Sequence, residues 1–268
     1  HDALPILIVS GLALGCLGCY GFCFWKRRTP AAVTGTGNPV MFDYILLLGC
    51  LLLLITVGYL QSQFGIFGQK WGLASFIPMV LLFASAYYFD HRGALGLAII
   101  NLAAWVGITI NRSTFYGINE LNKSETIIAA ILLSICLILL AIVVKEKGIK
   151  PHFSSTYHQF GTHGAYLAAI VGIIHFNHYY LAWFGILLAV AIFHAWKAWR
   201  ESSAYYMVIT CLYLYTGISF IMTDKIFSGL RGSDSKLYAN FFYYLITGIA
   251  MAIVLIRLNK KLKAHAGL

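Results

Sequence analysis

The stretch TIIAAILLSICLILLAIVV, residues 126–144, decides the class of this chain. It contains no Asp, Glu, Lys or Arg. A bilayer core offers no water to backbone amides and carbonyls, so an uncharged apolar stretch of about 20 residues crosses it as an α-helix, in which these groups bond one another. The sequence therefore predicts a membrane-spanning helix at residues 126–144.

Eight further stretches show the same pattern of apolar residues without charge. The prediction is an all-α fold, a polytopic transmembrane helical bundle with nine visible spans. Asp43 and Asp234, just before the second and ninth stretches, are predicted N-caps. The nine predicted spans are 7–25, 44–60, 73–89, 94–110, 126–144, 160–176, 179–196, 204–222 and 239–256.

The composition excludes an ordinary soluble domain. Hydrophobic residues make up 60% of the chain and charged residues only 10%, with a mean hydropathy of +0.79. A soluble domain carries roughly 25% charged residues. The net charge of +10 would suggest nucleic acid in a soluble protein. Here we expect the lipid bilayer and no nucleic acid, because basic residues hold the loops of membrane proteins on the cytoplasmic side.

The chain divides into segments by composition. Residues 1–6, HDALPI, resemble the translated end of a sequencing adaptor, and we expect them to be foreign. Residues 7–25 are expected to belong to an N-terminal helical hairpin that is partly lost, so the intact protein would have ten spans. A basic linker, 26–43, precedes an eight-helix transmembrane domain at 44–256, and 257–268 form a basic cytoplasmic tail.

The break at Phe176-Asn177-His178 sets the number of spans. With nine spans, thirteen of the 19 Lys and Arg residues fall on one side and six on the other. If 160–196 were a single helix, the split would be ten against nine. Since basic residues concentrate on the cytoplasmic side, the charges favour nine spans and a cytoplasmic C-terminus.

A few polar residues fall within the predicted spans, and Asn101 is the most expensive of them in hydrocarbon. Asn101, Thr109, Thr210 and Thr216 are candidates for the polar lining of a pore or substrate path. The alternative is that they form hydrogen bonds between helices, each worth about 0.5–2 kcal/mol.

Six of the nine histidines lie between His152 and His194. His175 and His178 have the i,i+3 spacing that places two ligands on one helical face, which makes them weak metal candidates. Zinc needs at least a third ligand, and no predicted span contains a carboxylate. We therefore predict no metal, no cofactor and no catalytic residue.

Cys16, Cys19 and Cys23 have the spacing of one helical face, and the same segment carries Gly11 and Gly15 four residues apart. Soft metal ligation is one interpretation, but small residues at this spacing are typical of close helix packing in membranes. The three isolated cysteines are expected in the core: Cys50, Cys136 and Cys211.

Five stretches carry a resemblance to a known family. They are FDYILLLGC (42–50), WGLASFIPMV (71–80), AYYFDH (86–91), NLAAW (101–105) and IRLNKKLK (256–263). In wording and order they resemble predicted bacterial membrane proteins of the domain-of-unknown-function 2157 family, in the form found in Bacteroidetes, over residues 40–268. The resemblance implies a multi-span inner-membrane protein and transfers no activity and no functional residue.

Two functions agree with these patterns. The first is a non-enzymatic membrane component, a scaffold or regulatory partner whose protein partners the sequence does not identify. The second is a transporter or channel for a neutral or apolar small solute. A transporter requires the polar residues of the spans to share one cavity, whereas in a scaffold they pair between helices.

Overall fold

The structure is a computed structural model, which describes residues 3–28, 39–68, 70–110, 123–230 and 232–265. Every regular element in these ranges is helical, which confirms the all-α prediction. A π-helical turn, Met222–Ile226, and a 3-10 turn, Phe227–Gly229, follow the eighth helix. The α-helices are α1 Ala3–Arg28, α2 Pro39–Phe64, α3 Trp71–Phe89, α4 Arg92–Ile110, α5 Lys123–Glu146, α6 Phe153–His175, α7 Tyr180–Arg200, α8 Ala204–Ile221 and α9 Ser233–His265.

Eight of the described helices are long and apolar enough to cross a membrane. The exception is α6, which contains the predicted span 160–176. Its first half, FSSTYHQFGTH, is polar, but Thr156, Tyr157 and Thr162 in that stretch are buried. Side chains that face protein can be polar without exposing hydrogen-bonding groups to hydrocarbon, so α6 tolerates a composition that a lipid-facing helix does not.

The predicted break between α6 and α7 is confirmed. Helix α6 ends at His175 and α7 begins at Tyr180. The rings of Phe176 and Trp183 stack across the turn, with centroids 5.3 Å apart. Residues 160–196 are therefore two helices that run antiparallel.

The helices extend further than the predicted spans. Helix α2 begins at Pro39, so Asp43 lies inside it and is not its N-cap. Asp234 likewise lies in the first turn of α9, where a carboxylate interacts favourably with the helix dipole. Both cap predictions were wrong because each helix begins before its aspartate, α2 at Pro39 and α9 at Ser233. Both ends of the 26–43 segment are helical, because α1 extends to Arg28 and α2 begins at Pro39. Much of 257–268 is helical as well, since α9 ends at His265.

The chain forms two compact units. The first unit comprises residues 1–122 and 135–161, and the second comprises 123–134 and 162–268. Helices α5 and α6 are each divided between the two units.

Small residues bring α1 and α2 close together in the first unit. Cys16 and Cys23 are buried, and a Cβ on Gly49 would come within 3.0 Å of the Cys19 Cβ. This agrees with the packing interpretation of the α1 cysteines. Cys136 is exposed on α5, so the prediction that it belongs to the core was wrong.

The start of α2, the α3–α4 turn and the α5–α6 connection lie at one end of the first unit. His91 Nε2, between α3 and α4, lies 3.5 Å from Asp43 Oδ1 near the start of α2. Asp90 in the same turn contacts Lys150, between α5 and α6, at 2.8 Å. The helices of this unit therefore alternate in direction, as expected of successive membrane spans.

The second unit has a core of α6, α7 and α8. Tyr166, Ala169 and Ile173 form the buried stripe of α6 and pack with Leu187 and Ala191 of α7. Spacings of three and four residues place each set on one helical face. This packing holds α6 and α7 side by side in their antiparallel arrangement.

The ends of the second unit also alternate. His175, at the end of α6, lies 3.4 Å from Ser124 at the start of α5. At the opposite end, Leu258 of α9 packs against Ala198 and Met207, which flank the turn from α7 to α8. Large apolar side chains are exposed along most of the length of the described helices. Such a surface fits a lipid bilayer around the helices.

Candidate functional site

Asn101 and Thr109 are the two candidate lining residues in the first unit, and the side chain of each forms a hydrogen bond within the protein. Asn101 is buried, and its Nδ2 donates to the Ser75 carbonyl of α3 at 2.8 Å. The Ser75 hydroxyl donates to Asn101 Oδ1 at 3.2 Å. Thr109 donates to the Trp105 carbonyl, one turn back in its own helix, at 2.7 Å. These polar groups are engaged within the protein.

In the second unit, Thr210 and Thr216 show the same two modes. Thr210 is buried and lies 3.0 Å from the hydroxyl of Tyr166, which joins α8 to α6. Thr216 donates to the Leu212 carbonyl of its own helix at 2.9 Å. Thr210, like Asn101, therefore connects two helices.

The metal candidates His175 and His178 are not on a continuous helix. Helix α6 ends at His175, and His178 lies in the turn that follows, so the i,i+3 spacing no longer defines a shared face. Within the described ranges, no group of three or more His, Cys, Asp and Glu side chains is placed to hold a metal ion.

Two other histidines belong to a polar network inside the second unit. His163 lies between two tyrosines, with Nδ1 2.9 Å from the Tyr213 hydroxyl and Nε2 2.8 Å from the Tyr205 hydroxyl. A neutral imidazole donates from one nitrogen and accepts at the other, so it bridges two phenols without carrying charge. His163 therefore connects α6 to two positions of α8 that are about two helical turns apart.

His194 of α7 has one tautomer fixed by its partners. Its Nδ1 lies 2.8 Å from the Val190 carbonyl, which can only accept, and its Nε2 lies 2.8 Å from the Thr162 hydroxyl. A neutral His194 therefore carries its proton on Nδ1 and accepts from Thr162 at Nε2. This bond joins α7 to α6.

Aromatic contacts make the two histidines part of one network. Tyr166 stacks on Tyr213 with centroids 4.6 Å apart, and its ring lies 5.5 Å from that of His194. Sequence reasoning missed this set, because the histidines were considered only as possible metal ligands. The signal that could have found it is the coincidence of His163, Tyr166, Tyr205 and Tyr213 at helical spacings.

A second polar cluster lies at the loop end of the first unit. Asp90 contacts Lys150 at 2.8 Å and His152 Nε2 at 3.1 Å. The hydrogen bond from Lys150 lowers the pKa of Asp90, and burial opposes this effect. Lys150 also donates to the Tyr87 carbonyl. This loop cluster fastens the α3–α4 turn to the α5–α6 connection.

The loop cluster contains Asp90, His152 and Ser155 but not the arrangement of a hydrolase. The Ser155 hydroxyl donates to the His152 backbone carbonyl at 2.9 Å, not to the imidazole. A serine nucleophile requires its hydroxyl to face a general base. In this geometry the Asp90–His152 contact is an interaction between loops.

His91 acts as the N-cap of α4. The Ala94 amide donates to His91 Nδ1 at 3.1 Å, so the neutral ring carries its hydrogen on Nε2, toward Asp43. Burial lowers the pKa of His91, and the Asp43 carboxylate opposes this effect. The neutral imidazole is the form that caps the helix.

An open pocket of about 630 Å³ lies between α2, α4 and α6 in the first unit. We call it the first-unit pocket. It contains none of the four polar candidates of the sequence. Its lining residues are Leu47, Leu51, Arg92, Gly93, Gly96, Leu97, Ile100, Ser155, Thr156, Gln159 and Phe160.

No family model, no curated protein and no solved structure matches the chain.

Proposed function

We propose that this chain is a non-enzymatic multi-pass membrane component, a scaffold or a regulatory partner of a neighbouring membrane system. The observation that carries the proposal is the engagement of buried polar groups by neighbouring helices. Asn101 pairs with Ser75, and Tyr166 pairs with Thr210. Groups used in this way stabilise a fixed helix arrangement and are not available to coordinate a passing solute.

The absence of charge from the spans gives the proposal further support. Ion-coupled transport generally uses carboxylates or other ionisable groups at membrane depth. The predicted spans contain no Asp, Glu, Lys or Arg. Two ionisable groups that do lie within the predicted spans are the histidines of the second-unit network. His163 and His194 form hydrogen bonds with tyrosine, threonine and backbone groups of the protein itself.

We also propose that the protein lies in a bacterial inner membrane with a cytoplasmic C-terminus and belongs to the domain-of-unknown-function 2157 family. The excess of basic residues on one predicted side and the five quoted stretches support these two assignments. Fusion of a reporter that is active only in the cytoplasm to the C-terminus tests the orientation. An active reporter is expected, and activity only of a periplasmic reporter would overturn the orientation.

Solute flux separates a scaffold from a transporter. The protein is reconstituted in liposomes, and osmotic swelling is recorded with glycerol, urea and larger polyols. The expected swelling rates equal those of protein-free liposomes. Transport would be established, and the proposal contradicted, if the wild type accelerated the entry of one solute and the rate of entry returned to background in Asn101→Leu.

Helix α9 offers a direct test for a protein partner. In its membrane window no residue is buried, and side chains such as Leu245 and Ile249 are about half exposed. A photoreactive amino acid is placed at successive positions of α9 in the native membrane. A docked partner gives cross-links to one protein every three or four positions, because one face of the helix is covered. Absence of any protein adduct along the helix would argue against a partner at α9.

A further inference from the structure

The first-unit pocket is built by three helices that enter from the same end of the unit. A Cβ on Gly93 would come within 2.9 Å of a Leu47 methyl group, so the first turn of α4 is level with Leu47 of α2. A Cβ on Gly96 would meet the Phe160 ring at 3.4 Å, which places the next turn of α4 level with Phe160 of α6. The glycines bring α4 close enough to both neighbours to form one pocket wall.

The polarity of the first-unit pocket changes with depth. Arg92 is the first residue of α4, and Ser155 is in the first turn of α6. Leu97 and Ile100 lie about 8 and 12 Å further along α4, at a rise of 1.5 Å per residue. The pocket is therefore polar at the loop end and apolar toward the middle of the span, the same order as the headgroup and acyl chain of a lipid.

Two exposed polar side chains at the loop end of the first-unit pocket have no protein partner among the described residues. No carboxylate of these residues pairs with the Arg92 guanidinium, and no hydrogen bond among them engages the Gln159 amide. Arg92 also sits at the N-terminus of α4, where the helix dipole disfavours a cation. An anion beside Arg92 would satisfy the guanidinium and relieve this unfavourable placement.

We propose that the first-unit pocket binds an anionic phospholipid from the surrounding leaflet. Arg92 binds the phosphate, the Gln159 amide donates to a headgroup oxygen, and one acyl chain lies along Leu51, Leu97 and Ile100. The lipid source is favoured over a soluble anion because much of the lining is apolar and belongs to membrane-spanning helices. The inference is independent of the proposed function, since a scaffold and a transporter can each hold a lipid.

The test uses the purified full chain in detergent, with phosphatidylglycerol and phosphatidylcholine of the same chains as probes. Bound lipid is counted by native mass spectrometry, and the unfolding midpoint is recorded with each lipid. For wild type we expect tighter binding and a larger rise in the midpoint with phosphatidylglycerol. Arg92→Ala should reduce the preference about fivefold, which corresponds to the ~1 kcal/mol that one basic residue contributes near an anionic bilayer.

Two further variants make the result specific. Lys147→Ala removes an exposed cation of the α5–α6 connection, outside the first-unit pocket, and should retain the preference. Ile100→Trp fills the apolar end of the pocket at a lipid-exposed position and should weaken binding of both lipids.

Three outcomes would overturn the inference: no preference in wild type, equal loss in Arg92→Ala and Lys147→Ala, or equal stabilisation by inorganic phosphate. An unfolding midpoint of Arg92→Ala in phosphatidylcholine that matches wild type shows that the variant is folded. The flux and cross-linking results for the proposed function do not enter this comparison, so the two proposals fail separately.

Discussion

Asn101 and Ser75 form a reciprocal pair between α4 and α3: the asparagine amide donates to the serine carbonyl at 2.8 Å, and the serine hydroxyl donates to the asparagine Oδ1 at 3.2 Å. Both side chains are buried, so the pair satisfies polar groups that hydrocarbon cannot solvate. This pairing fixes the depth at which the two helices cross. It also explains why an amide is tolerated in an otherwise apolar span.

Replacing Asn101 with Leu should destabilise the protein by about 1–2 kcal/mol, because the buried Ser75 hydroxyl loses its side-chain acceptor and the Ser75 carbonyl its side-chain donor. The hydroxyl keeps only its longer contact, 3.4 Å, with the backbone carbonyl of residue 101. Reversible unfolding in mixed micelles measures the change. Thr109→Val is the control, since the Thr109 hydroxyl bonds only within its own helix, and it should cost less. Equal costs for the two variants would contradict an interhelical role for Asn101.

The His91 cap makes the stability of α4 depend on pH. Burial lowers the pKa of His91 in the folded protein, so below pH ~6.5 the unfolded chain binds more protons than the folded one. The contribution of the neutral ring is complete above this pH and is lost as the pH falls through the folded pKa. We expect the unfolding midpoint to decrease on acidification from pH 7 toward pH 5.

His91→Asn is the informative variant, since its side-chain oxygen can cap α4 without titrating. It should reduce the pH dependence between pH 7 and 5 and retain most of the stability at pH 7. His91→Ala should cost about 1 kcal/mol at neutral pH, the usual value of a lost N-cap. An unchanged pH profile in His91→Asn would show that another group is responsible.

Tyr166 and Thr210 should show energetic coupling. Their hydroxyls are 3.0 Å apart, and both side chains are buried between α6 and α8. We expect a double-mutant cycle of Tyr166→Phe and Thr210→Val to give a coupling of about 0.6 kcal/mol, the average for hydrogen bonds between membrane helices, and no more than about 1.7 kcal/mol. Additive effects of the two substitutions would mean that the hydroxyls do not interact.

Gly172 should be intolerant of any side chain. A Cβ at this position would lie 2.2 Å from the Trp183 indole, and the indole itself stacks on Phe176. Gly172→Ala should therefore destabilise the second unit by about 1–3 kcal/mol through overpacking. Gly185→Ala on α7 has open space around its Cβ and should be neutral or stabilising. Thermal unfolding of the two variants under one condition distinguishes them.

The sequence predicted the helices better than their boundaries. Absence of charge locates a span, because charged groups are excluded from hydrocarbon whatever the neighbouring helices are. Helix ends follow local hydrogen bonding, and for this reason Asp43 and Asp234 were placed outside helices that in fact contain them. The break near Phe176 was predicted from the distribution of basic residues, a property of the whole chain.

The candidate site was predicted only in part. Asn101 was singled out correctly as a group that needs a partner, but its partner Ser75 is 26 residues away and no local pattern identifies it. No shared network of His163 and His194 was predicted, although Tyr166 and Tyr213 connect them. Contacts of this kind depend on the rotation of each helix about its axis, which hydropathy does not specify.

By itself the sequence determined that this protein is an all-α membrane protein, since the cost of placing charge or unbonded backbone in lipid acts on each segment separately. Only the tertiary structure decided which polar side chains meet, that His91 caps α4, and that Arg92 and Gln159 line one pocket. Those outcomes depend on helix packing, in which a rotation of a fraction of a turn exchanges one set of neighbours for another.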